Sequence, residues 1–309
     1  MNTQSNAVPG SFGAPGGAAT VIPKTRLFSW LIRRELWEHR SIYIAPLAAG
    51  GVILFGFLIS LVHMPTRVRT TLALDPMAQR MTFEQPYMMA AGFLMLTSML
   101  VGAFYCLEAL HGERRDRGIL FWKSLPVSDL MTVLSKAAIP IVVLQLIAFV
   151  VTLAVQWIVL LLSSAVLLGS GMSAAMLWTR LPMAQMSAML LYHLLILHGL
   201  WHAPFYAWFL MVSSWARRAP FLWAVVPPLA IGIAEKIAFN TSYFASILWN
   251  HLGGSPDSGS QAQSGNMSNM LGHFEPIKLL TTPALWVGLA LTAIFLAAAV
   301  RLRRDRGPI

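Results

Sequence analysis

The residues best suited to chemistry are three histidines in one apolar run. His193, His198 and His202 lie between Tyr192 and Ala203. His198 and His202 stand at i, i+4, which puts both imidazoles on one helical face, able to share a metal ion. The residues between them are Gly199-Leu200-Trp201, so the H-E-x-x-H pattern of zinc enzymes is missing. His193 sits about 140° around the helix from His198, and no cysteine or acid nearby in sequence completes a ligand set. Polar packing between helices, or the lining of a hydrated path, is the competing reading, and no metal is assigned. A membrane-embedded metalloenzyme using His198 and His202 stays open as an alternative.

Glu235 and Lys236 form a second constellation, in an apolar run after Pro227-Pro228. Charges at membrane depth cost about 2.5–3.5 kcal/mol each on insertion scales and turn toward protein or water. Glu235 lies about 21 Å along the helix from Phe221, past the middle of a roughly 30 Å hydrocarbon core. Snorkelling toward the far interface is one reading. An element of an outer gate or substrate path, shared with His198 and His202, is the other.

The third constellation is the stretch Gly112–Lys136, GERRDRGILFWKSLPVSDLMTVLSK. Arg114, Arg115, Arg117, Lys123 and Lys136 are basic, whereas Glu113, Asp116 and Asp129 are acidic. An apolar patch, Ile119 to Trp122, follows Gly118. Pro126 cannot continue a helix and biases Leu125 toward extended backbone. Ser128 is a good N-cap, and Asp129 sits where a helix dipole favours an anion. The stretch reads as a short amphipathic helix, a sharp turn and the start of a long apolar helix. On charge alone, an ordinary basic loop fits equally well. The patch is too apolar for a free loop, and Glu113, Arg114, Arg115 and Arg117 suit the charged rim of a protein contact.

The series Glu113-Arg114, Gly118, Leu120, Ser124-Leu125-Pro126-Val127-Ser128 and Lys136 resembles the signature of ABC-2 type transporter permeases. That family carries an E-R…G…L…S-L-P-V-S…K pattern between its second and third membrane helices. The resemblance in motif covers residues 112–136, and the layout of spans extends it along the chain. It implies a coupling helix at about Gly112–Lys123 that docks on a separate ATP-binding cassette subunit. Coupling would rest on Glu113, Arg114, Gly118, Leu120, Leu125, Pro126, Ser128 and Lys136. It also implies an interfacial elbow helix at the N-terminus and a second permease subunit, identical or paralogous. The chain would then be the permease subunit of an ATP-driven exporter, not itself an enzyme. ATP and magnesium would be bound by the partner, with no cofactor in this chain. No G-x-x-x-x-G-K-[ST] phosphate loop occurs anywhere in the sequence. A non-transporting membrane sensor or scaffold is a further alternative.

The elements that must position these groups are membrane helices. Of the 309 residues 57% are hydrophobic and 11% charged, against about 25% charged in soluble domains. The mean hydropathy is +0.64. Residues 1–23 are free of charge and rich in Gly, Ala, Ser and Pro, which predicts a flexible tail. Residues 24–309 form the membrane domain. Lys24 to Arg40 interleaves Leu27, Trp30, Leu31 and Trp37 with charges, as an interfacial helix does. Six apolar runs follow: Ile42 to Val62, Tyr87 to about Ala109 begun by Pro86, the run after Ser128 to about Leu162, about Ala184 to Val212, Phe221 to Phe239, and Ala284 to Val300. Each is near the ~20 residues a bilayer requires. The expected class is therefore an all-α integral membrane protein with six spans. Pro140 and Pro204 are expected to kink the third and fourth. Cys106, the single cysteine, falls in the second.

Net charge of +10 would suit nucleic acid, but the basic residues gather at the ends of apolar runs, which points to the lipid bilayer instead. Lys24–Arg40, 112–136, Arg217-Arg218 and the C-terminus hold most of the 22 basic residues. The opposite loops hold Arg67, Arg69, Arg80, Arg180 and Lys278. The positive-inside rule puts both termini in the cytoplasm of a multi-pass protein of the cell (inner) membrane. The loop 63–86 mixes charged and apolar residues and can pack. Residues 253–272 have a linker's composition, flanked by Tyr243–Trp249, apolar enough to dip toward the bilayer.

Overall fold

The computed structural model describes residues 23–118, 127–181, 183–252 and 282–305, apart from the side chains of Arg80, Met176, Arg180 and Leu197. Every regular element among these residues is helical. Six runs are long and apolar enough to cross a membrane: Ser41–Leu61, Pro76–Arg115, Asp129–Gly169, Met183–Trp201, Pro220–Phe239 and Pro283–Asp305. Helices satisfy their own backbone polar groups, which is what hydrocarbon surroundings require.

Helix α1 (Lys24–Glu38) ends at His39, and α2 (Ser41–Leu61) starts two residues later. Helix α3 (Met64–Leu72) occupies part of the loop expected to pack. Helix α4 (Pro76–Ala109) begins earlier than the sequence pattern suggests. Asp75 caps it by accepting a bond from Ala78 N at 3.2 Å, and Pro76 occupies the first turn, where its missing N–H costs nothing. Pro86 therefore lies inside the helix and does not begin it. The Gln79 amide ties the two helices together by donating to the Leu72 and Leu74 carbonyls at 3.1 and 2.9 Å.

After the short α5 (His111–Arg115), helix α6 (Asp129–Ala138) runs through a π-helical turn, Ile139–Val143, into α7 (Leu144–Gly169). Pro140, expected to kink this span, sits in that π-helical turn. The Gln145 amide donates to the Pro140 carbonyl at 2.9 Å. Beyond α8 (Ala175–Arg180), helix α9 (Met183–Tyr192) passes into a second π segment, His193–Trp201, then α10 (Ala203–Trp215). Pro204 lies in the first turn of α10, at the junction.

The two π segments meet. A Cβ on Gly199 would lie 2.5 Å from the Ile141 carbonyl oxygen, so only glycine admits this approach. Gly102 of α4 faces the same junction, where a Cβ would lie 2.9 Å from Tyr206 Cε1 and 3.3 Å from Pro140 Cβ. The core surrounds this point. Ala49, Leu94, Val151, Val155 and Leu160 join α2, α4 and α7, whereas Cys106, Ile139, Tyr206, Leu210 and Ala299 join α4, α10 and the last helix, α13 (Pro283–Asp305). Helix α11 (Pro220–Phe239) differs from all of these. Among its residues only Ala224 is buried, and an apolar helix exposed on nearly every side suits lipid contact.

Candidate functional site

At the end of the bundle where α5 stops and α6 starts, four helices, α1, α5, α6 and α13, bring charged side chains together largely out of water. Ser128 makes the start of α6: its backbone is extended and its hydroxyl accepts from Met131 N at 3.2 Å. That fixes Asp129 as the first helical residue, and Lys136 lies two turns further along the same helix. Lys136 is 1% exposed. Its Nζ lies 2.8 Å from Glu35 Oε1 on α1 and 3.1 Å from Glu113 Oε1 on α5. Glu113 binds Arg303 through its other oxygen, and Arg303 Nε donates to Asp129 Oδ1 at 2.9 Å. The Tyr105 hydroxyl of α4 donates to Glu35 Oε2 at 2.8 Å. Arg34 stands at the edge of the cluster, 3.7 Å from Glu35 and 3.9 Å from Glu113, and pairs more closely with Glu38 at 2.8 Å.

Each ion taken from water costs several kcal/mol, recovered only by close geometry and further hydrogen bonds. Here Lys136 and Arg303 each lie between two carboxylates, so Glu35, Glu113 and Asp129 all have a cation beside them. Arg303 holds Glu113 and Asp129 together. These two residues are the feet of the segment between α5 and α6, so the C-terminal helix clasps that segment at both ends. His39 borders the cluster, its ring edge-on to Tyr105 at 5.0 Å. Burial lowers its proton affinity, although Glu35 beside it pulls the other way.

Arg114 turns to a second anchor. Its guanidinium donates to the Ser214 carbonyl at 2.8 Å, while the Ser213 hydroxyl accepts from Leu110 N and His111 N at 3.1 and 2.8 Å. The end of α10 is thereby sewn to the α4–α5 junction. Glu113 and Arg114 are thus buried within the chain, not arranged as the rim of an external contact. The reason is that each finds partners inside: Lys136 and Arg303 for the carboxylate, the Ser214 carbonyl for the guanidinium. Arg115 and Arg117 do lie on the surface. Arg117 has a left-handed backbone, φ 57°, which ends the helix there, and Gly118 is half-buried. The short helix observed is His111–Arg115. Leu120, Leu125 and Pro126 lie outside the described residues, as do residues 119–123 of the helix expected at Gly112–Lys123.

The remaining candidates separate. His198 and His202 have ring centroids 5.1 Å apart, and His198 Nδ1 is buried without a hydrogen-bond partner. Among the described residues no group of three or more His, Cys, Asp or Glu is arranged to hold a metal. His202 turns instead toward the Leu252 carbonyl, 3.3 Å away on α12 (Tyr243–Leu252). Neighbouring His251 stacks on Trp201 at 4.5 Å; its Nε2 lies 2.8 Å from the Trp201 carbonyl, and Trp201 Nε1 donates to the His251 carbonyl at 2.8 Å. Glu235 caps the start of α12, accepting from Tyr243 N, Phe244 N and the Thr241 hydroxyl at 2.7, 2.9 and 2.8 Å. Its carboxylate is thus engaged in holding α12, and Lys236 is exposed.

The sequence pattern missed Glu35 and Arg303. Both looked like members of charged surface runs. The available signal was spacing: Leu31 and Glu35, and Ala299 and Arg303, are i, i+4 pairs, so each charge follows a buried apolar residue on the inward face. Comparison of the chain with protein-family models, with curated proteins and with solved structures gives no match.

Proposed function

We propose that this chain is the permease subunit of an ATP-driven exporter of the ABC-2 type, with both termini in the cytoplasm. The observation that carries the reading is the meeting of Glu113 and Lys136, 3.1 Å apart, with Ser128 capping the helix between them. Three positions of the sequence signature thereby serve one structural purpose, which is to fix the feet of the 116–128 segment. In this reading the segment docks on a separate ATP-binding cassette subunit that holds ATP and magnesium. Closure of the ATPase pushes the segment, and its clasped feet convert the push into tilts of α4, α6 and α13. Helix α1 acts as the interfacial elbow, joined to the same cluster through Glu35. A second permease subunit completes the pathway, and the exposed faces of α2 and α11 suit lipid or such a partner.

The test is co-purification with an ATP-binding subunit, using Leu120→Asp. A carboxylate in the apolar patch would be desolvated at a protein contact, at a cost of several kcal/mol. The expected variant inserts and remains monodisperse in detergent but loses ATPase association and substrate-stimulated ATP hydrolysis. A folded Leu120→Asp chain that binds and stimulates the ATPase like the wild type refutes the coupling role.

A further inference from the structure

The far end of the bundle holds a cleft of about 310 Å³, within the range of small-ligand pockets. Ser163, on its floor, lies about 40 Å along the α6–α7 run from Lys136. The cleft therefore has no part in the ion cluster. Phe57, Met64, Val68, Phe83, Met89 and Leu177 are among its apolar walls. Tyr87 and Ser163 form a buried polar floor, where the phenol lies against the hydroxyl, which itself donates to the Val159 carbonyl at 2.7 Å. Among the described residues of the lining, Arg67, exposed on α3, is the charged one, and none is acidic. Apolar walls with one cation at an exposed edge complement a molecule with an apolar tail and a single anionic head.

We propose that this cleft, between α2, α3, α4, α7 and α8, binds a singly anionic amphiphile, with Arg67 on the head group and the Phe57–Phe83 walls on the tail. The chemistry is shared by a free alkyl carboxylate and by an anionic membrane lipid. The cleft does not depend on the coupling role proposed above.

Equilibrium dialysis of the full chain in phosphatidylcholine nanodiscs against labelled dodecanoate tests this, with dodecanol in parallel. The wild type binds dodecanoate saturably above empty discs. Arg67→Gln, a change to an exposed side chain, weakens dodecanoate binding about tenfold and leaves dodecanol unchanged. Ser60→Phe, which fills the cleft, weakens both. Repeating the titration with anionic phospholipid in the discs separates the sources. Loss of dodecanoate binding there assigns the site to a membrane lipid, and unchanged binding assigns it to a free amphiphile. The proposal is overturned by binding no greater than in empty discs, by an Arg67→Gln chain that binds dodecanoate like the wild type, or by a Ser60→Phe chain that does so.

Discussion

The two ends of this helical bundle are closed by different chemistry. At one end, Glu35, Glu113, Asp129, Lys136 and Arg303 join helices that are far apart in sequence through buried ion pairs. At the other, Glu235 caps a helix that begins a few residues later, and Gln79, in the first turn of α4, ties that helix to the end of α3. The charged end behaves as a unit, because its members share partners, so removing one leaves the remaining buried charges out of balance. The far end is assembled from separate contacts that can loosen one at a time. Under the proposed exporter role, this division would give a rigid clasp where the push arrives and independent closures where the helices part.

Predictions follow from the largest effect to the smallest. Lys136→Met leaves Glu35 and Glu113 facing each other without their shared cation. It should cost about 3–5 kcal/mol, read as a large fall in the thermal midpoint of monodisperse protein. Adding Glu35→Gln should recover part of that loss. A Lys136→Met midpoint equal to the wild type would mean that this end is no tighter than the other. At the centre, Gly199→Ala forces a methyl group against the Ile141 carbonyl and should cost about 1–3 kcal/mol. Gly51→Ala, where a Cβ meets open space, serves as the control, and equal midpoints for the two would place the π segments further apart than described.

At the far end, Glu235→Ala should speed hydrogen exchange at Tyr243 and Phe244 while leaving the global midpoint in place. A global shift would show that the closures there are coupled after all. The smallest effect is expected at His39. Burial keeps it neutral in the folded chain at a pH where the unfolded chain takes a proton. Its contribution is therefore present above about pH 6.5 and declines as pH falls through that value. His39→Phe, which keeps the ring against Tyr105, should flatten the acid side of a stability–pH profile. An unchanged slope would assign the acid sensitivity to other groups.

Much of the fold could be read from the sequence because apolar length decides it. Six runs near the span length and the Ser128 cap all correspond to observed helices. The start of α4 could not be read this way, because Pro86 looks like a beginning, whereas Asp75 and Pro76 supply one ten residues earlier. The π segments escape a 3.6-residue period by their nature, although Pro140 marked the position of one. The ion cluster was half visible: Glu113, Asp129 and Lys136 stood out in the polar stretch, but Glu35 and Arg303 were hidden among neighbours of the same type. Charge pairing between distant helices leaves no local pattern, so it takes the packed structure to tell a surface arginine from a buried one.

The central claim is that Arg303 and Glu113 form one buried unit clasping the segment between α5 and α6. A double-mutant cycle tests it directly, with Glu113→Gln, Arg303→Met and the combined variant unfolded in detergent under the same conditions. The account predicts a coupling energy of about 1–3 kcal/mol, with the double variant more stable than the sum of the single losses. Single losses that add to within about 0.5 kcal/mol would mean that the two side chains do not meet, and the clasp would have to be abandoned.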